Sequence, residues 1–86
     1  MIKLEKIKAW GTEVGSVQSM ALDEIVLLAT PDTLHALGNF FLCAAQEMTE
    51  YNTEHIHLQD RCGNFWTEEH VDIILANKET IKISTK

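Results

Sequence analysis

His55 and His57 stand one residue apart in the run His-Ile-His-Leu-Gln-Asp, so a strand there would point both imidazoles the same way. Two imidazoles on one face are half of a zinc or other divalent-metal site, which Cys62, Glu69 or His70 would complete from the loop that follows. Known zinc patterns, however, pair two close ligand doublets at set spacings, and this chain has one doublet with scattered extras. Histidines alternating with Ile56 and Leu58 read more simply as the outer face of a half-buried strand. The expectation is no bound metal and no cofactor.

Cys62 beside His55, His57 or His70 would make a nucleophilic pair, which needs a base within hydrogen-bond reach and a lowered thiol pKa. A cysteine before Gly63 reads first as a loop residue, and Cys43 lies on a flank of a helix, away from its core positions. Glu68, Glu69 and Asp72 group carboxylates without an opposing set for acid–base work. Gly11 and Gly15 are isolated and form no phosphate-cradling loop. The adjacent aromatics Phe65 and Trp66 read as anchors of their loop, or else as a contact spot for a partner. Catalysis is therefore not expected.

The charge pattern points to a partner instead. The chain carries a net charge of −6, and from Ala9 to Asp60 it has eight acidic residues with no lysine or arginine. Nucleic-acid binding needs clustered cations, so this stretch argues against it. It suits a basic protein partner. The N-terminal residues lack the apolar core of a signal peptide, and no apolar run approaches a membrane span. With two cysteines and no disulfide framework, the expected setting is cytoplasmic.

Eighty-six residues, 45% of them hydrophobic, predict one globular domain over 1–86. Ile2 and Leu4 alternate with charges and predict a first strand over residues 2–8. Trp10 to Ser19 reads as a turn or long connection. Residues 22–29 contain Ile25-Val26-Leu27-Leu28, apolar on both faces, as in a central strand. Thr30 is then a helix N-cap, Pro31 fits the first turn, Asp32 suits the positive end of the dipole, and Asn52 marks the stop. On the helical wheel Leu34, Leu37, Phe41, Ala44, Ala45 and Met48 form the core face, flanked by Phe40 and Tyr51, with Gly38 allowing close approach to a sheet. A third strand follows over residues 55–59, a loop over 60–69, a fourth strand over 71–75, and a turn at Asn77-Lys78-Glu79 into Ile81 and Ile83. The predicted fold is α+β, a single helix on a mostly antiparallel four- to five-stranded sheet in the order β-β-α-β-β-β. One helix covers only one face of such a sheet, so the doubly apolar run also predicts a homodimer.

One ordered series of residues resembles a known family. Leu28-Ala29-Thr30-Pro31-Asp32, Leu34, Leu37, Phe41-Leu42, Ala44-Ala45, Glu47-Met48, His57-Leu58-Gln59-Asp60 and Asp72-Ile73-Ile74 follow one another as in the immunity protein thirty-two family of bacterial polymorphic toxin systems. The resemblance spans residues 22–77, and the loop from Arg61 to Glu69 departs from the proline- and tryptophan-rich loop of that family. It implies a protein that neutralises a toxin. Combined with the acidic stretch, it gives a non-enzymatic binder of a basic toxin domain. The expected binding surface is the outer helix face, His35, Asn39, Leu42, Gln46 and Glu50, with His55 and His57 as the second choice. Two other readings stay open: a metal-binding or enzymatic domain built on His55 and His57 with Cys62 or His70, and a homo-oligomeric structural protein without ligand.

Overall fold

Thr30 sets the start of the principal element. Its side-chain oxygen accepts a hydrogen bond from the Thr33 N–H at 3.2 Å, Pro31 occupies the first turn where its missing N–H costs nothing, and Asp32 faces the helix dipole. Helix α1 runs Pro31–Tyr51 and ends where Asn52 turns left-handed at φ 54, its N–H bonded to the Met48 carbonyl at 3.1 Å. Both ends lie where the sequence predicts. The computed structural model describes residues 3–66 and 69–81.

Before the helix, strands β1 (Trp10–Thr12) and β2 (Ser19–Ala21) pair antiparallel, Trp10 opposite Ala21. Between them the Ser16 N–H bonds the Glu13 carbonyl at 2.9 Å, and Gly15 takes φ 85, where a side chain would be strained. This hairpin forms in the stretch read as a turn or connection. The strands expected over 2–8 and 22–29 carry no regular strand among the described residues, and the ladder stops at the bond from Leu22 N–H to the Ala9 carbonyl. A tight turn closes its nearest flanks at least entropic cost, which favours pairing next to Gly15 over pairing further out.

After the helix, β3 (His55–His57) and β4 (Ile74–Ala76) form a second antiparallel pair, Ile56 opposite Leu75. The third strand is shorter than expected because a 3-10 helix, Leu58–Arg61, begins where residues 58–59 should have continued it. Two bonds hold that bend: Leu58 N–H to the Ile73 carbonyl at 2.9 Å, and Gln59 N–H to the Asp72 carboxylate at 3.0 Å. The fourth strand is correspondingly displaced towards Ala76. Residues 78–80 turn as expected, while the return strand predicted at Ile83 lies outside the described residues. The class is α+β, one helix with antiparallel strands, but the described strands make two separate pairs where one sheet of four to five strands was expected.

The core lies where α1 crosses the β3–β4 pair. Phe40, Ala44 and Ile56 are buried, with Met48, Leu58, Ile73 and Leu75 packed around them. Ala44 is only 1% exposed, so its small side chain marks the closest approach of helix and strand. The expected core face is therefore off by roughly 60° around the helix axis. Phe40 moves from the flank to the centre, whereas Phe41 is 47% exposed and Leu34, Ala45 and Tyr51 are exposed. The apolar stripe is too wide for spacing to locate its centre, and the position of Ile56 decided it. Gly38 is likewise not at the helix–strand contact, since a Cβ placed there would meet nothing within 4 Å.

Asn77 closes the open end of this pair. It is buried, its N–H bonds the Glu54 carbonyl at 2.8 Å, and its side-chain amide bonds the Thr53 carbonyl at 3.1 Å while accepting from Glu79 N–H at 3.0 Å. Its polar groups are thus satisfied where an apolar residue would leave two backbone groups, the Thr53 carbonyl and the Glu79 N–H, without these partners.

The packing predicts unequal costs for two adjacent phenylalanines. Phe40→Ala should lower the unfolding free energy by about 3 kcal/mol or more, whereas Phe41→Ala should cost about 1 kcal/mol or less. Urea denaturation of the two variants measures the difference, and equal losses would contradict this orientation of α1.

Candidate protein-binding surface

Rotation of α1 towards Ile56 turns another part of the helix outward. His35, Asn39, Leu42, Gln46 and Glu50 are all exposed along it. From His35 to Glu50 this face runs roughly 22 Å. Its first three turns form a shallow open groove lined by Pro31, Leu34, His35, Gly38, Asn39 and Leu42. Leu42 is 71% exposed, an apolar side chain between polar neighbours. Further along, the Gln46 side-chain amide donates to Glu50 Oε1 at 3.1 Å, which orients that carboxylate outward on the helix. Sequence reasoning placed the polar members of this face and missed Pro31, Leu34 and Gly38. The signal for them was present: a glycine one turn from each of two leucines that a single hairpin cannot both cover.

His55 and His57 belong to a different surface. Ile56 between them points at Phe40 and Ala44, so strand alternation sends both histidines away from α1. They share that side with Ile74 and Ala76, their cross-strand partners. The two parts of the expected binding surface therefore lie on opposite sides of the helix–hairpin layer, and one flat partner cannot cover both.

Among the residues of the expected metal or nucleophilic site, His57, His70 and Cys62 have other partners. His57 Nδ1 lies 3.1 Å from Asp72 Oδ2, and the other oxygen of that carboxylate accepts from Gln59 N–H. Asp72 thus fastens the 3-10 helix to the segment before β4, and Glu68, which the sequence groups with it, lies outside the described residues. His70 Nδ1 accepts from Trp66 N–H at 3.1 Å, and its ring lies over Phe65 with centroids 5.4 Å apart. Cys62 Sγ is 3.1 Å from Asn64 Oδ1. Among the described residues, no three His, Cys, Asp or Glu side chains converge to hold a metal ion. Of the two loop aromatics, Phe65 is half-buried against His70 while Trp66 is 62% exposed.

Arg61 spans the two layers. Its guanidinium makes a two-pronged contact with the Glu47 carboxylate, one prong at 2.8 Å, joining the 3-10 helix to α1. Hydrogen bonding by Arg61 holds the Glu47 carboxyl below its ordinary pKa, and Glu47 in turn raises that of Arg61. The pair is solvent-accessible and engages the one arginine of the chain.

This is a small α+β protein that offers exposed faces of a helix and a hairpin. The chain belongs to the Immunity protein 32 family, whose model matches residues 24–78, from the apolar segment before the helix to the turn after β4. No curated protein and no solved structure matches it significantly. Among the described residues, no helix is long and apolar enough to cross a membrane.

The ion pair has a defined pH signature. Because the folded-state pKa of Glu47 lies below its unfolded value, its contribution is complete above the ordinary carboxylate range and is lost as pH falls through the folded value. Glu47→Gln should melt below the parent at pH 7, and the gap should narrow below about pH 4. Melting curves across that range test it, and a gap independent of pH would refute the role of the carboxylate charge.

Proposed function

We propose that this protein neutralises a bacterial toxin by binding and covering a basic domain of it, without catalysing a reaction. Family membership supplies the class of partner. The observation that carries the choice of surface is the exposed outer face of α1, where Leu42 stands uncovered among His35, Asn39, Gln46 and Glu50. An apolar centre ringed by polar groups is the usual anatomy of a binding patch, because water is excluded at the middle and charge acts at the rim. The acidic run from Ala9 to Asp60 adds a field that draws a positively charged partner. The reading includes a cytoplasmic setting, consistent with both cysteines being free thiols, and a homodimeric state. It uses no cofactor and no metal.

His55 and His57 remain the second choice, on the opposite side of the molecule. They are favoured by the exposure of His55 and by Ile74 beside them, 52% exposed.

Leu42→Ala should fold as the parent does and weaken toxin binding by about 1–2 kcal/mol, roughly 5- to 30-fold in Kd. Glu50→Lys should mainly slow association, with a loss that shrinks as salt rises. Surface plasmon resonance against the cognate toxin, identified by pull-down, measures both. Normal binding by Leu42→Ala would move the interface to the histidine strand. In the absence of toxin, treatment with a chelator should leave the cooperative thermal transition unchanged, since loss of a structural metal would abolish it.

A further inference from the structure

Residues 22–29, Leu-Asp-Glu-Ile-Val-Leu-Leu-Ala, have the composition of a strand that lacks its neighbours. They connect the β1–β2 hairpin to the N-cap of α1, and among the described residues 23–29 form no backbone hydrogen bond to any other segment. Val26 is 86% and Leu28 100% exposed, and Ile25 and Leu27 are exposed as well. Both odd and even positions are apolar, so a strand here would present two dry faces and two unsatisfied edges. Among the described residues, the segment's own chain offers a backbone partner only at its first residue, through the bond from Leu22 N–H to the Ala9 carbonyl.

The amount of uncovered surface indicates what kind of partner is missing. The chain exposes 8053 Å². A folded monomer of its mass exposes about 5,100 Å². The excess of about 2,900 Å² per chain is far beyond the roughly 800 Å² that each side loses in a standard heteromeric interface; over two copies it is about 5,800 Å², at the upper end of obligate homodimers, which bury about 2,000–5,000 Å² or more in total. A radius of gyration of 13.9 Å, against about 12 Å for a compact chain of this length, agrees.

Charge separates a second copy from a basic partner. Residues 25–31 hold no charge, with Asp23 and Glu24 before them and Asp32 after. A partner drawn by acidic side chains finds none within this segment. A second copy carrying the same −6 charge meets no like charge on residues 25–31, so this segment is free of the repulsion between acidic surfaces.

We infer that two copies join through antiparallel pairing of residues 24–28 about a two-fold axis beside Val26, making one sheet that runs across both copies. A two-fold axis normal to a sheet sets residues of equal parity opposite one another, so Val26 meets its own counterpart and Ile25 meets Leu27 of the second copy. Glu24 then lies roughly 13 Å along the strands from its counterpart, which keeps the like charges apart. The pairing rests on the homodimer reading above and gives it a place on the chain.

The test uses the full chain with Cys43→Ser and Cys62→Ser, adding either Val26→Cys or, as a control on the helix face, Leu42→Cys. Sedimentation at tens of micromolar reports the mass, and a short bis-maleimide reports which positions meet. The expected result is a dimer that cross-links efficiently at Val26→Cys and not at Leu42→Cys. A clean monomer in sedimentation overturns the homodimer and this pairing together. A dimer that cross-links through Leu42→Cys, at both positions equally or at neither overturns the pairing and leaves the homodimer standing. Val26→Lys in the otherwise natural chain should weaken dimerisation at least tenfold, and unchanged dimerisation would also overturn the pairing.

Discussion

The contact of Phe40 and Ala44 with Ile56 is the constraint on which the arrangement depends. Ala44 has almost no exposed surface, so neither the helix nor β3 can rotate without opening a void or forcing a clash. Fixing α1 in this orientation turns Leu42 and its polar neighbours outward. It also fixes Ile56 inward, which by strand alternation places His55 and His57 on the far side. One small patch of packing thus determines which two surfaces the protein presents.

Polar clamps hold the surroundings of that patch. Arg61 with Glu47 joins the 3-10 helix to α1, Asp72 with His57 and Gln59 joins it to the approach of β4, and Asn77 closes the far end of the hairpin. Each engages side chains whose types would otherwise advertise chemistry. A histidine already bonded to a carboxylate, and a carboxylate already holding a backbone N–H, act here as fasteners. The exposed ion pair adds little stability in water, so its main effect is to fix the position of the 3-10 helix.

Among the described residues, three buried apolar side chains make a small core, and much apolar surface remains outside it. The surface divides by charge. The outer face of α1 mixes Leu42 with polar and acidic groups and suits a partner that arrives by electrostatic attraction. Residues 25–29 are apolar and uncharged, and the proposed contact with a second copy would use them. Steering and permanent burial favour different chemistry, so one small chain can assign them to separate segments.

The sequence by itself determined helix α1 to the residue, because Thr30, Pro31, Asp32 and Asn52 act locally on the backbone groups at the helix ends. It also carried the family, through an ordered series of residues that no single motif supplies. The turn after β4 and the alternation of His55, Ile56 and His57 were legible for the same local reason. The rotation of the helix was not, since its apolar stripe is wider than the contact it makes and only Ile56 selects the centre. Nor were the strand limits, because hairpin closure at Gly15 and the bonds of Asp72 and Ile73 to residues 58–59 draw on partners distant in sequence. Tertiary structure alone decided that Asp72 and His57 are bonded to each other, and that the two candidate surfaces face opposite ways. Local chemistry writes the ends of elements, whereas orientation depends on which distant side chain fills the space between them.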